Sequence, residues 1–209
     1  MSAPPIPVED LLGLAIRHVN AGQRDRARLL CAEAQTLHPP HPAVLQLLAV
    51  LALQDGDPAL AARHAEASLA LRPDHPPTLV LAGTAQQQCG LWPAALLNLT
   101  RATGLQPKHA DAWFTLALAR QDGADLNGAA QALRQVLALA PQRADAALNL
   151  GIVLQDLGLT DEALQAYGRA YRLLPDSFGR IAHALAAAPQ GKLWLDLDAL
   201  RSALSASPA

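Results

Sequence analysis

A chain of 209 residues, 51% hydrophobic and formally −2 in net charge, can bury a substantial core but offers no broad attraction to a phosphate backbone, which argues against nucleic acid as a partner. Only 3% of the residues are aromatic while more than a fifth are Ala, so composition points to helices packed through small residues rather than to sheets. No apolar run approaches the roughly 20 residues that span a bilayer, so no membrane partner is expected.

Residues 1–7 carry Pro4, Pro5 and Pro7 and read as a flexible arm. The opening MSAPPIPVED lacks the basic and apolar regions of a secretory signal, and Cys31 and Cys89 stand far apart without a CxxC. Both features lead us to expect a cytoplasmic location with the cysteines as small hydrophobes. The basic residues are almost all Arg, with Lys only at 108 and 192; together with the Ala bias, this is the composition of a GC-rich bacterial coding sequence.

From residue 8 a pattern recurs. Prolines stand at 39, 73, 107, 141 and 175, always 34 residues apart. Ala27, Ala61, Ala95, Ala129 and Ala163 keep the same step, as do the small residues Ala15, Ala49, Gly83, Ala117 and Gly151. Gly22, Gly56, Gly90 and Gly158 follow it too; the fourth unit departs, with Gly123 one place early and Ala124 in the slot. The units are 8–41, 42–75, 76–109, 110–143 and 144–177, in register without an insertion. Within each, the spacing predicts two helices. Trp113, Leu116, Ala117 and Arg120 share one face of the first, and Ala129, Leu133 and Val136 mark a stripe on the second. Asp57-Pro58, Trp92-Pro93 and Thr160 followed by Asp161 and Glu162 carry helix-start chemistry. The recurring proline ends the second helix, because it lacks an N–H and disfavours helix at the residue before it. Residues 178–209 break the pattern. FGRIAHALAAA predicts one more helix, and Leu193, Leu197, Leu200 and Leu204 are spaced for another. We read 178–205 as a helical cap on the repeats; a docking element for a partner is the alternative.

These residues resemble the tetratricopeptide repeat family: Trp113, Leu116, Ala117, Ala129, Leu133 and Pro141 in one unit; Leu150, Gly151, Leu154, Ala163, Tyr167 and Pro175 in the next; and Leu11, Leu14, Ala15, Ala27, Cys31 and Pro39 in the first. The family's aromatic three residues after the small one is replaced by His18, Ala52, Gln86, Arg120 and Leu154. The resemblance implies an all-α fold, a right-handed superhelical solenoid of stacked antiparallel helix hairpins.

No catalytic constellation stands out. P-loop, GxGxxG, HExxH and GxSxG are absent, and the acids near helix ends read as solvated carboxylates. We therefore expect no enzyme activity and no cofactor. His41, His75 and His109 share the repeat step, and His38 and His41 flank two prolines. Equivalent positions in neighbouring repeats lie on the order of 10 Å apart, too far for ligands to one metal, so we read these histidines as repeated turn residues and expect no metal site.

In the family the first helix of each hairpin lines a groove, and the resemblance implies these positions here. One row is Leu12, Gln46, Val80, Phe114 and Leu148; the next is Ile16, Val50, Thr84, Leu118 and Ile152. Further along come Val19, Leu53, Gln87, Gln121 and Gln155, then Asn20, Gln54, Gln88, Asp122 and Asp156, with Asp111 and Asp145 nearer the helix starts. This is an apolar floor with a glutamine row and acids toward the later repeats. Such a patch marks a binding site unless the arm, the C-terminal segment or a second copy covers it. The family's Lys and Asn clamp for a terminal carboxylate has no Lys in these slots, and its asparagine ladder finds only Asn149. The expected function is a non-catalytic scaffold, adaptor or assembly factor. It would bind an apolar or amphipathic, partly basic segment of another protein or peptide. The alternatives are a substrate-recruiting subunit of a transferase-type enzyme system and a homo-oligomeric structural protein.

Overall fold

The computed structural model describes residues 6–187 and 196–206, and these are helical throughout with short connections. The chain divides into two compact units, Met1–Gln106 and Pro107–Ala209. The first contains α1 (Val8–Asn20), α2 (Arg24–Leu37), α3 (Pro42–Gln54), α4 (Pro58–Leu71), α5 (Pro76–Gln88) and α6 (Trp92–Leu105). The second contains α7 (Ala110–Asp122), α8 (Leu126–Leu139), α9 (Ala144–Asp156), α10 (Thr160–Leu173), a 3₁₀ turn at Pro175–Ser177, α11 (Phe178–Ala187) and α12 (Leu197–Ala206). Leu193 and the rest of 188–195 lie outside the described residues.

Helices pair in chain order, α1 with α2, α3 with α4, α5 with α6, α7 with α8 and α9 with α10. Three-residue turns join the members of each pair. At each turn the chain reverses through a left-handed residue: Gly22, Gly56, Gly90 and Gly158 have φ of 73°, 77°, 73° and 78°. The residue after it donates back five positions, as in Leu91 N to Gln86 O at 2.8 Å and Leu159 N to Leu154 O at 2.9 Å. The left-handed residue donates back three, Gly90 N to Gln87 O at 2.9 Å. This pair of bonds satisfies carbonyls that the helix end would leave orphaned. The fourth turn makes the same bonds, but its left-handed residue is Ala124 at φ 62°.

The second helices stop where the prolines demand. His38, Arg72, Gln106, Ala140 and Leu174 each close a helix in a non-helical conformation directly before a proline. The next first helix opens from a residue of the same step. His109 Nδ1 accepts from Ala112 N at 3.1 Å, while His41 and His75 cap their helices without such a bond. Asp57 caps α4 by accepting from Leu60 N at 2.9 Å, and Asp125 caps α8 through Gly128 N at 2.9 Å. Thr160, by contrast, is already the first residue of α10, and its side chain makes no cap.

The small residues set the distance between paired helices. A Cβ on Gly83 would come within 2.5 Å of Leu99, and one on Gly151 within 2.5 Å of the Tyr167 ring. Where the first helix carries Ala49 instead, Ala65 shares its cluster, and where it carries Ala15 the cluster holds Cys31. In the hairpins of Gly83 and Gly151 large meets small, which keeps the interior close-packed. At the end of the second unit the register of the repeats is lost. There α12 packs on α10 and α11 on α9, and Ile181, Leu185, Leu200 and Leu204 join the core cluster of Tyr167.

Candidate functional site

In the first unit the groove positions fall on α1, α3 and α5, the first helices of its three hairpins. Ile16 is 43% exposed, and Leu12, Gln46, Val50, Val80, Thr84 and Gln87 are half-buried. These apolar side chains are neither core nor isolated surface residues. Leu12 packs at the edge of the cluster of Leu11 and Ala15, and Thr84 turns its hydroxyl inward to Val80 O at 2.9 Å.

In the second unit α7 brings up Phe114, Leu118 and Gln121, all half-buried, and exposed Asp122. From α9 come half-buried Ile152 and exposed Asp156. Two groove expectations need correction here. Leu148 is only 1% exposed, inside the cluster that Ile181 and Leu185 of α11 join. Gln155 is 7% exposed; its amide donates to Ala184 O on α11 at 2.9 Å, and its oxygen accepts from Tyr167 Oη at 2.7 Å. The helix that follows the repeats, α11, thus meets the last hairpin on its first helix, and sequence periodicity alone could not show that.

Sequence reasoning also missed Arg143. Its guanidinium lies 4.4 Å over the Phe114 ring, donates to Asp111 Oδ1 at 2.5 Å, and holds both oxygens of Asp145 at 3.1 and 2.7 Å. The bond from Arg143 holds the Asp145 carboxyl below the usual carboxylate range. A signal was available: Arg143 occupies the slot that holds His41, His75 and His109 in the earlier units. Asp111 and Asp145 are therefore already paired, and only Asp122 and Asp156 of the four acids stand at the C-terminal ends of their helices.

In two of the slots that lack the repeat's usual aromatic, polar side chains bond between helices. Gln86, 3% exposed, donates to Glu66 Oε1 at 2.9 Å and accepts from Asn98 Nδ2 at 2.9 Å. Arg120 reaches Gly128 O at 3.0 Å. Both cysteines are free, and burial pushes the Cys31 thiol up to about 11. Among the described residues, no group of three or more His, Cys, Asp or Glu is placed to hold a metal ion, and no helix is long and apolar enough to cross a membrane.

Paired helices of fixed length, turned at a left-handed residue and stopped by a proline every 34 residues, define a helical-repeat protein. The tetratricopeptide repeat pattern matches residues 12–76 and 114–178, and the chain belongs to that family. No curated protein sequence matches it. Among solved structures it is similar to MamA, at 21% identity and a TM-score of 0.73 over 78% of this chain and 95% of that one. A MamA fragment from Desulfovibrio magneticus RS-1 aligns with a TM-score of 0.77 at 19% identity, covering 83% of this chain and 98% of that one. YrrB, described as a TPR protein with an unusual peptide-binding site, aligns at 0.75 and 20% identity, covering 83% of this chain and 89% of that one.

Proposed function

We propose that the protein is a non-catalytic scaffold, an adaptor or assembly factor, that holds an apolar or amphipathic, partly basic segment of another protein on the first helices of its hairpins. The observation that carries this reading is the set of partly exposed apolar side chains on those helices: Leu12, Ile16, Val50 and Val80 in one unit and, separately, Phe114, Leu118 and Ile152 in the other. Apolar groups left partly exposed beside polar ones mark interaction surfaces. Gln46, Thr84, Gln87 and Gln121 supply the polar neighbours, and Asp122 and Asp156 the charge that favours a basic residue on the partner. Membership of a family of interaction modules and the likeness to YrrB support the same reading.

The test is affinity capture from the native cell's lysate with the wild type beside Val80→Glu and Phe114→Glu variants of wild-type helicity. A protein retained by the wild type and lost by either variant is the expected result. Retention equal across all three would place the interaction elsewhere on the molecule.

A further inference from the structure

The last hairpin's first helix, α9, ends at Asp156, and α11 packs beside it. Between them opens a cleft of about 280 Å³. Ile152, Ala184 and Ala187 give it apolar walls. Its floor is the Gln155–Tyr167 pair, whose hydrogen bonds are made within the protein. At the mouth stands the Asp156 carboxylate, exposed, with exposed His183 beside the same opening.

Two further observations single out Asp156. It is the final residue of α9, where the negative end of the helix dipole disfavours a carboxylate, so its charge does nothing for the helix. None of the ion pairs formed among the described residues of this unit involves it. Its field nonetheless reaches the cleft floor: the Tyr167 phenol is pushed above its ordinary range, chiefly by burial and then by Asp156.

We propose that this cleft takes a lysine or arginine side chain from the partner's segment, its methylenes against Ile152, Ala184 and Ala187 and its cationic head on Asp156. A long basic side chain is an apolar stem with a charged tip, which matches apolar walls ending in an acid. An acidic side chain would be repelled, and a wholly apolar one would strip water from Asp156 without replacing it. The proposal rests on the scaffold reading and gives the bound segment one required residue type.

The experiment is selection of a displayed random-peptide library on the full chain, wild type and Asp156→Asn in parallel. Circular dichroism checks that the exposed substitution leaves helicity intact. Peptides recovered by the wild type should share a Lys or Arg at one position. Replacing that residue with norleucine should weaken binding about fivefold or more. Asp156→Asn should cost a similar factor, and the two changes together no more than either alone. Peptides that bind the wild type with no basic preference, or that lose as much on norleucine replacement with Asp156→Asn as with the wild type, overturn the inference and leave the scaffold reading intact. Recovery of no peptide at all overturns both.

Discussion

The fourth turn offers a direct test of the repeat's backbone logic. Ala124 stands at φ 62° in a turn that Gly22, Gly56, Gly90 and Gly158 make in the other hairpins. Its hydrogen bonds are the same as theirs, Ala124 N to Gln121 O at 3.0 Å and Asp125 N to Arg120 O at 2.8 Å. What differs is steric, since the left-handed conformation costs an ordinary L-residue about 1–2 kcal/mol. Glycine's greater freedom in the unfolded chain takes back about 0.5–1 kcal/mol of that. Ala124→Gly should therefore stabilise the protein by about 0.5–1 kcal/mol, a rise of about 1–4 °C in Tm for a chain of this size. Gly56→Ala makes the opposite change at φ 77° and should cost about 1 kcal/mol. Gly123→Ala tests specificity: its φ is −81°, so it carries no left-handed penalty, and an added methyl meets Ala119 O at 3.3 Å and Arg120 O at 3.7 Å, so it should cost less than Gly56→Ala. Thermal and urea melts followed by circular dichroism measure all three. If Ala124→Gly melts no higher than wild type and Gly56→Ala no lower, the left-handed turn residue does not limit stability and the reasoning fails.

Other substitutions separate glycines that hinge from glycines that make room. Gly104→Ala faces open space within α6 and should stabilise by about 0.5–1 kcal/mol, whereas Gly151→Ala drives a methyl into the Tyr167 ring and should destabilise by about 1–3 kcal/mol in the same melts. In thiol titration at mildly alkaline pH, half-buried Cys89 should react before Cys31, which is 1% exposed with a pKa near 11; the reverse order would contradict the packing of α2. His64 and His75 both have lowered pKa values, chiefly through burial and then through Arg63 and Arg72. Their unfolded forms bind protons more readily, so stability is full above about pH 6.5 and falls as pH drops toward the folded values. His64→Gln with His75→Gln should flatten that decline in Tm, and an unchanged slope would assign it to other groups.

The fold was legible because its signals are local. A proline every 34 residues stops a helix wherever it stands, and a turn glycine is demanded by one backbone angle, so each unit announces its own boundaries. Even the irregular fourth turn could be read, as Ala124 in the glycine slot. The site was less legible because it depends on what comes to rest against a helix face. The repeat step places Leu148 and Gln155 beside Phe114 and Gln121 in the family's groove rows, yet α11 meets α9, and both residues are buried. No periodicity predicts that, since α11 follows Pro175 without continuing the register of the repeats. Arg143 hid for a different reason. Its slot read as a turn, and that turn residues reach back over the helix face became visible only when its guanidinium was found on Phe114.

Arg143 also divides the acids that the sequence presented as one row. With Asp111 and Asp145 both held by one guanidinium, the net negative charge near Phe114 is smaller than the residue count suggests, and on the scaffold reading proposed above it is Asp156 that would draw a basic segment. Arg143→Gln should release both carboxylates and uncover the Phe114 face together. The Asp145 carboxyl, now held down first by its bond to Arg143, should titrate at higher pH in the variant, moving toward the ordinary range. NMR titration of the Asp145 side chain measures that directly. Peptides selected on the wild type should meanwhile associate faster with the variant and show a steeper salt dependence, because more unpaired acid faces them. An Asp145 titration unmoved by the substitution would mean that Arg143 does not hold it in solution. The face near Phe114 would then present Asp145 unpaired after all.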